Sequence, residues 1–280
     1  MTMTMSMYLV IFIALLAAAA GLYLFSISPR RSRLREMRRF MKTKFAHRGY
    51  HCAARRIPEN SLAAFRAALD CHYGIELDVH LTKDGQVAVF HDDTLERVCG
   101  VPGSVESHTY SELRKLFLQH TAERIPLLAD VLSCVNGRVP LLIELKLPGR
   151  SVKLCEKTYE LLQDYRGPCL IQSFNTLGLR WFRIHAPHIL RGQLSSNLTA
   201  DDDTAPYILR FLVKHMLSNF LGRPDFISYK LKDLPEPGVW LCRVLFRTPV
   251  AVWTLNTENA MRRGISGYEM QIFEKEAEFY

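Results

Sequence analysis

The stretch GIELDV, residues 74–79, alternates apolar residues with two carboxylates, a pattern typical of a β-strand. Side chains two residues apart project from the same face of a strand, so Glu76 and Asp78 are expected side by side. Acids among apolar neighbours are costly to bury unless their charges meet a cation. The pair alone is compatible with a buried cation site and also with an exposed strand face. The surrounding sequence has to decide between these two interpretations.

Around this strand, short apolar or β-branched runs alternate with helical stretches roughly every 25 to 40 residues, as in repeated β-α units. Eight strands are predicted at 44–47, 74–79, 141–146, 169–173, 189–193, 226–229, 250–254 and 269–273. A helix over 60–70 begins at Asn60 or Ser61 as N-cap, and residues 87–91 form a further extended run. Residues 44–280 have the usual size of a TIM-type (β/α)8 barrel, which is the predicted fold.

The amino-terminal segment differs from the rest of the chain. Residues 7–25 form an uncharged run of 19 residues, long enough to cross a hydrocarbon layer of about 30 Å as a helix. Eight Lys or Arg residues follow within 30–44, against Glu36 alone. We therefore expect one transmembrane helix within 1–29, a basic juxtamembrane linker at 30–43 and the barrel domain at 44–280.

The distribution of positive charge predicts how this segment sits in the cell membrane. No Lys or Arg precedes the apolar run, whereas a secretory signal peptide carries positive charge before it. The positive-inside rule then places the barrel of this single-pass protein in the cytoplasm. Cleavage near the small residues 17–20 is the alternative interpretation.

Net charge and cysteine content exclude other classes of protein. The chain carries +8, of which 30–44 supplies +7, so the folded domain gives no reason to expect nucleic-acid binding. Seven scattered cysteines without a C-x-x-C pair suit a reducing compartment and argue against a zinc cluster or a disulfide framework.

Further polar residues stand near the carboxyl ends of the predicted strands, where a β/α barrel holds its active site. His47 ends the first strand, His91 ends the run 87–91, and Glu144 and Lys146 share one face of the third strand. Each has an ordinary interpretation, as a hydrogen-bonded histidine or a same-face ion pair. Three carboxylates from two strands together favour a hard divalent metal, Mg²⁺ or Ca²⁺.

Five short motifs occur together in order: HRG at 47–49, PEN at 58–60, ELDVHLTKDG at 76–85, FHD at 90–92 and IELK at 143–146. Weaker elements follow, IQSF at 171–174 and VWTLN at 252–256. The set resembles the glycerophosphodiester phosphodiesterase family, in the form of a membrane-anchored bacterial-type member. The resemblance implies a TIM-type barrel with a small insertion after the second strand, here from residue 87 to about 119. The family's G-x-x-T-D segment is replaced at the carboxyl end by GISGYEMQIFEKEAEFY.

The resemblance also implies roles for individual residues. The catalytic residues would be His47 and His91, the metal ligands Glu76, Asp78 and Glu144, the phosphate-contacting residues Arg48 and Lys146, and the supporting residues Glu59, Asn60, Gln172 and Trp253. His51, Cys52 and His80 are expected at the rim of the site.

Three functions remain open. The first is metal-dependent hydrolysis of glycerophosphodiesters to glycerol 3-phosphate and an alcohol, with histidines as general acid and base. The second is a lysophospholipase D that acts on lysophospholipids at the bilayer. The third is a catalytically silent membrane adaptor that binds phosphodiester headgroups.

Overall fold

A closed barrel of eight parallel strands forms the centre of the computed structural model, which describes residues 2–200 and 205–274. The ring closes because the first strand, Lys44–Ala46, pairs with both the second, Gly74–Leu81, and the last, Met270–Phe273. Its strands are β1 Lys44–Ala46, β2 Gly74–Leu81, β4 Leu141–Leu145, β5 Cys169–Ser173, β6 Leu190–Ser195, β7 Phe226–Lys230, β8 Val250–Leu255 and β9 Met270–Phe273. The TIM-type barrel and its eight strands are confirmed.

Helices surround the barrel, and most of the longer ones pack an apolar face against it. They are α1 Thr2–Ile27, α2 Leu34–Met37, α3 Leu62–Asp70, α4 Glu96–Cys99, α5 Tyr110–Leu113, α6 Leu128–Val135, α7 Lys153–Leu162, α8 Thr176–His185, α9 Tyr207–Lys214, α10 Asn219–Gly222, α11 Pro237–Phe246 and α12 Glu258–Gly267. Of the two candidate N-caps of α3, Ser61 is the one that caps: its Oγ accepts a hydrogen bond from Ala64 N at 3.1 Å.

The extended run after β2 is a hairpin partner and not a barrel strand. β3, Val87–Val89, pairs antiparallel with the end of β2, with Val79 opposite Val89. The segment that follows carries α4 and α5 around an apolar cluster of its own, which includes Phe90, Val98 and Leu113. The insertion expected after the second strand is thus a small satellite core beside the catalytic end of the barrel.

Part of the expected basic linker closes the floor of the barrel. Met37 and Phe40 are completely buried and pack with Phe45 and with residues at the amino-terminal ends of the strands, such as Leu170 and Phe226. The arginines of the same segment point outward, so 34–40 has one apolar and one basic face.

Helix α1 meets the barrel only at its carboxyl end. Ile27 is fully buried, and its carbonyl accepts a hydrogen bond from Asn219 Nδ2 at 3.0 Å. Residues 6–22 are all exposed, and partial burial begins at Tyr23, where the last turn approaches the barrel. Ser6–Ile27 is long and apolar enough to cross a membrane, with a hydropathy of 2.5. A membrane span and an export signal both fit this description.

Candidate active site

Three buried carboxylates meet at the catalytic end of β2 and β4. Asp78 and Glu144 are direct neighbours in the parallel register, and Glu76 lies two residues before Asp78 on the same face. One ligand oxygen from each of the three lies within 4.8 Å of the others. The strand spacing that the sequence showed therefore brings all three predicted metal ligands together.

These carboxyl groups are all buried, yet their pKa values diverge because their charged neighbours differ. Burial, followed by the charges of Asp78 and Glu144, raises the pKa of Glu76 well above its usual value. Burial also raises the pKa of Glu144. Asp78 is equally buried, but Lys146, His91 and Arg48 outweigh the burial and lower its pKa. Such crowding is costly unless a cation enters, so the site fits a hard divalent metal.

Two basic side chains border the carboxylates. Lys146 Nζ lies 2.5 Å from Glu144 Oε1 and 3.0 Å from Asp78 Oδ1, and the pKa of Lys146 is raised by these partners despite its burial. Arg48 Nε lies 3.8 Å from Asp78 Oδ2. The two predicted phosphate-contacting residues thus stand beside the predicted metal ligands.

In the HRG turn, residues 47–49, both the backbone and the side chain of Arg48 face the carboxylates. Arg48 has φ 54° and Gly49 φ 81°, both left-handed conformations, and Arg48 N donates a hydrogen bond to Glu76 Oε2 at 2.9 Å. A Cβ on Gly49 would come within 2.8 Å of Ala64 Cβ. Glycine is therefore required there, because α3 packs directly against the turn.

Both predicted catalytic histidines hold a carboxylate at Nδ1. His47 Nδ1 lies 3.0 Å from Glu274 Oε1, and His91 Nδ1 lies 2.6 Å from Asp92 Oδ1. Since a carboxylate accepts, each Nδ1 carries the proton and each Nε2 is left for another partner. Asp78 lies within electrostatic range of both rings. The pKa of His47 is lowered by burial, against the opposing effect of Glu274.

An ion-pair network links the insertion to the HRG turn. Arg97 on α4 contacts Glu59 Oε1 at 2.7 Å and Asp92 Oδ2 at 2.5 Å, while Arg48 Nη1 contacts Glu59 Oε1 at 2.8 Å. Arg97 thereby fixes the carboxylate that holds His91. The sequence analysis missed Arg97, which belongs to none of the motifs. Asp92 belongs to the FHD motif, but the motif gave no prediction of its role.

The remaining predicted residues also lie at this end of the barrel. Asn60 Nδ2 donates to Asp78 Oδ2 at 2.9 Å, and Gln172 stands opposite Glu144 in register. Trp253 on β8 lies under Lys230, whose Nζ is 5.6 Å from the ring centroid. His80, expected at the rim, is instead 1% exposed, with Nε2 3.3 Å from the carbonyl oxygen of His91.

The chain is similar to known proteins in both sequence and fold. The model of the glycerophosphoryl diester phosphodiesterase family matches residues 47–268. A glycerophosphodiester phosphodiesterase from Bacillus altitudinis is 36% identical over 171 residues, 57% of this chain and 69% of that protein. A lysophospholipase D from Homo sapiens is 33% identical over 144 residues, 47% of this chain and 44% of that protein. The crystal structure of a glycerophosphodiester phosphodiesterase from Thermotoga maritima superposes with a TM-score of 0.64 at 26% identity, covering 84% of this chain and 96% of that one.

Proposed function

Because this chain belongs to the glycerophosphoryl diester phosphodiesterase family, we propose that it hydrolyses glycerophosphodiesters by metal-dependent acid–base catalysis at the site of β2 and β4. Glu76, Asp78 and Glu144 are the proposed metal ligands, and His47 and His91 the proposed acid and base. The observation that carries this assignment is the meeting of three buried carboxylates with two histidines that are each held at Nδ1.

The chemistry follows from the charge of a phosphodiester. Arg48 and Lys146 offer guanidinium and ammonium groups that can bind its non-bridging oxygens and stabilise charge that develops in the transition state. Mg²⁺ or Ca²⁺, when bound by the three carboxylates, would add positive charge on the same side of the substrate.

The two histidines divide the proton transfers. The histidine that acts as base is neutral, with its proton on Nδ1, and its Nε2 accepts the proton of the attacking hydroxyl group. The histidine that acts as acid is protonated on both ring nitrogens, and its Nε2 donates a proton to the oxygen of the leaving alcohol. The carboxylates of Glu274 and Asp92 stabilise whichever imidazole becomes positively charged. They also fix the tautomer that presents Nε2 to the substrate.

The anchor assigned to the amino terminus belongs to the same proposal. We take 1–29 as the segment that contains the membrane span and whose last turn packs on the barrel, 30–43 as the basic segment after it and 44–280 as the catalytic domain in the cytoplasm, as the positive-inside rule favours. A carboxyl-terminal fusion to alkaline phosphatase should then be inactive, because that reporter needs an oxidising compartment. Strong reporter activity would instead indicate export.

Lysophospholipids are the second candidate substrate. The similarity to a human lysophospholipase D and the apolar α1 helix favour it, because an anchored site meets lipids that stay in the bilayer. The bond cleaved would be the same, with the glycerol carrying one acyl chain.

One assay separates the candidates. Purified full-length protein is tested on glycerophosphocholine and on lysophosphatidylcholine, with and without chelator, and choline release is measured. Turnover of glycerophosphocholine that chelator abolishes and Mg²⁺ or Ca²⁺ restores supports the main proposal. Preference for lysophosphatidylcholine supports the second candidate, and absence of turnover on both would leave the headgroup-binding adaptor.

A further inference from the structure

Helix α9 exposes apolar side chains that a water-soluble helix would bury. Its sequence is YILRFLVK over Tyr207–Lys214. None of these residues is fully buried against the described part of the structure. Tyr207, Ile208 and Leu209 are 61%, 60% and 53% exposed. Amphipathic helices normally turn their apolar face to a core. This face therefore needs a partner outside the described residues.

The helix stands at the mouth of the barrel. Ser195 Oγ, at the end of β6, donates to the carbonyl of Val213 at 3.1 Å, and Tyr229 Oη, near the end of β7, donates to the carbonyl of Lys214 at 3.3 Å. These are the catalytic ends of the strands. In the ring of eight strands, β7 lies opposite β2. The α9 helix thus flanks the mouth across from the carboxylates.

Helix α1 leaves the molecule on the same side. Arg30 N bonds to the carbonyl of Pro224, just before β7, at the floor of the barrel. Three residues earlier, the carbonyl of Ile27 accepts from Cys242 Sγ, midway along α11. One turn further back, Tyr23 lies within electrostatic range of Glu236, which caps the catalytic end of α11. Residues 23–30 therefore run along the outside of the barrel from its floor to the catalytic rim. Residues 6–22 of α1 continue beyond that rim.

We propose that α9 is a membrane-interface helix, whose Tyr207, Ile208 and Leu209 enter the headgroup layer of the bilayer that α1 spans. This rests on the anchor assigned above. Because α1 exits past the catalytic rim, the bilayer surface meets the mouth of the barrel, where α9 presents the apolar residues. Trp240, 58% exposed on the first turns of α11, adds an aromatic ring at the level where Tyr and Trp gather at membrane surfaces.

The polar side of α9 already has partners within the protein. Arg210 Nη1 donates to the carbonyl of Leu198, and Lys214 Nζ donates to Thr199 Oγ1. These contacts hold the basic side against the loop after β6, which leaves Ile208 and Leu209, on the opposite side of the helix, to face outward. Tyr207 lies beside Arg210 at the start of the helix and is also exposed. A bilayer is favoured over a soluble partner because α1 keeps it permanently beside the helix.

The consequence concerns the substrate. A mouth that faces the headgroup layer admits a lipid whose phosphodiester lies at the surface while its acyl chain remains in the bilayer. If the proposed function holds, this arrangement favours lysophospholipids, the second candidate substrate.

Tryptophan quenching tests the docking directly. Full-length I208W is reconstituted into phosphatidylcholine vesicles with and without lipids brominated on the acyl chains. The emission that the new tryptophan adds to that of the parent protein is determined in each, and its quenching by bromine is calculated. I184W, on exposed Ile184 of α8, is the matched control. We expect at least twofold stronger quenching for I208W than for I184W. Equal quenching would overturn the proposal, and it is also the result expected if a second protein molecule covers α9.

Activity then tests the consequence. I208D/L209D should lose about tenfold or more of its turnover on vesicle-resident lysophosphatidylcholine and stay within about twofold on soluble glycerophosphocholine, whereas I184D should keep both. An unchanged ratio of the two rates would overturn the role in substrate access. Inactivity of the parent on both substrates would refute the proposed function alone, since the quenching does not depend on turnover.

Discussion

Glu274 Oε1 accepts a hydrogen bond from His47 Nδ1 at 3.0 Å, although 227 residues separate the two in the chain. The contact arises because β9 lies next to β1 where the barrel closes, so the carboxyl ends of the two strands meet. The hydrogen bond and charge of Glu274 oppose the burial that lowers the pKa of His47. The bond to His47 in turn lowers the pKa of Glu274. The last strand therefore contributes to the site through this carboxylate.

Replacing Glu274 by Gln should lower kcat about tenfold or more. The amide can still accept the hydrogen bond but no longer stabilises a charged imidazole, so the pKa of His47 falls further. The limb of the pH–rate profile that reports His47 should move to lower pH. Glu274→Asp should retain most activity, and Glu269→Gln, at the other end of β9, serves as control. A wild-type pH profile for Glu274→Gln would show that the contact does not tune His47.

The sequence predicted the barrel well because each strand carries its own local signal. Alternation and strand-end polar residues marked all eight strands and the three carboxylates, and the turn after Leu81 separated the β3 hairpin from them. The partners of the histidines were harder to predict. Arg97 reaches Asp92 and Glu59 only through the fold of the insertion, and Glu274 reaches His47 only through barrel closure.

The segment 34–40 shows a different limit of sequence reasoning. Its many arginines indicated a basic juxtamembrane linker, yet Met37 and Phe40, three residues apart, form one apolar side of a short helical stretch. Two buried positions within one turn are too few to stand out against the charge pattern.

Each of the two proposed catalytic histidines should be essential in the proposed mechanism. His47→Ala or His91→Ala should lower kcat by about 10² or more, the usual effect of losing a general acid or base. The double variant should lose less than the product of the two factors, because the groups act in one proton-transfer cycle. Steady-state kinetics on glycerophosphocholine measures this. Wild-type kcat for His91→Ala would contradict the pairing.

Metal binding should stabilise the fold as well as support turnover. Mg²⁺ or Ca²⁺ at about 100 times its Kd adds roughly 2.7 kcal/mol to the free energy of unfolding, which thermal denaturation detects as a rise in Tm. Glu144→Gln should lose most of that rise and most activity, whereas Glu156→Gln, on the exposed side of α7, should keep both. The same rise in Tm for Glu144→Gln as for wild type would argue against Glu144 as a ligand.

Acid should weaken the network around Glu59. Burial acts to raise the pKa of Glu59, but Arg97 and Arg48 outweigh it and lower the pKa from 4.5 to about 2. The ionised group thus stabilises the fold fully above pH 4.5 and loses this effect as pH falls toward 2, by at most about 3 kcal/mol. The difference in unfolding free energy between wild type and Glu59→Gln should shrink across that window. For exposed Glu160→Gln it should stay small throughout, and a flat difference for Glu59→Gln would refute the shift.

Phe40 should be a major contributor to stability although it lies in the basic segment. Its ring is fully buried in the floor of the barrel against Phe45 and Phe226, so Phe40→Ala leaves a cavity and should cost about 3–5 kcal/mol. Phe117→Ala, on a ring that is 49% exposed, is the matched control and should cost about 1 kcal/mol or less. Urea unfolding of the full-length protein in detergent measures both. Because the floor lies opposite the catalytic end, the fraction of Phe40→Ala that remains folded should keep the wild-type kcat. Equal destabilisation by Phe40→Ala and Phe117→Ala would show that residues 34–40 do not close the barrel.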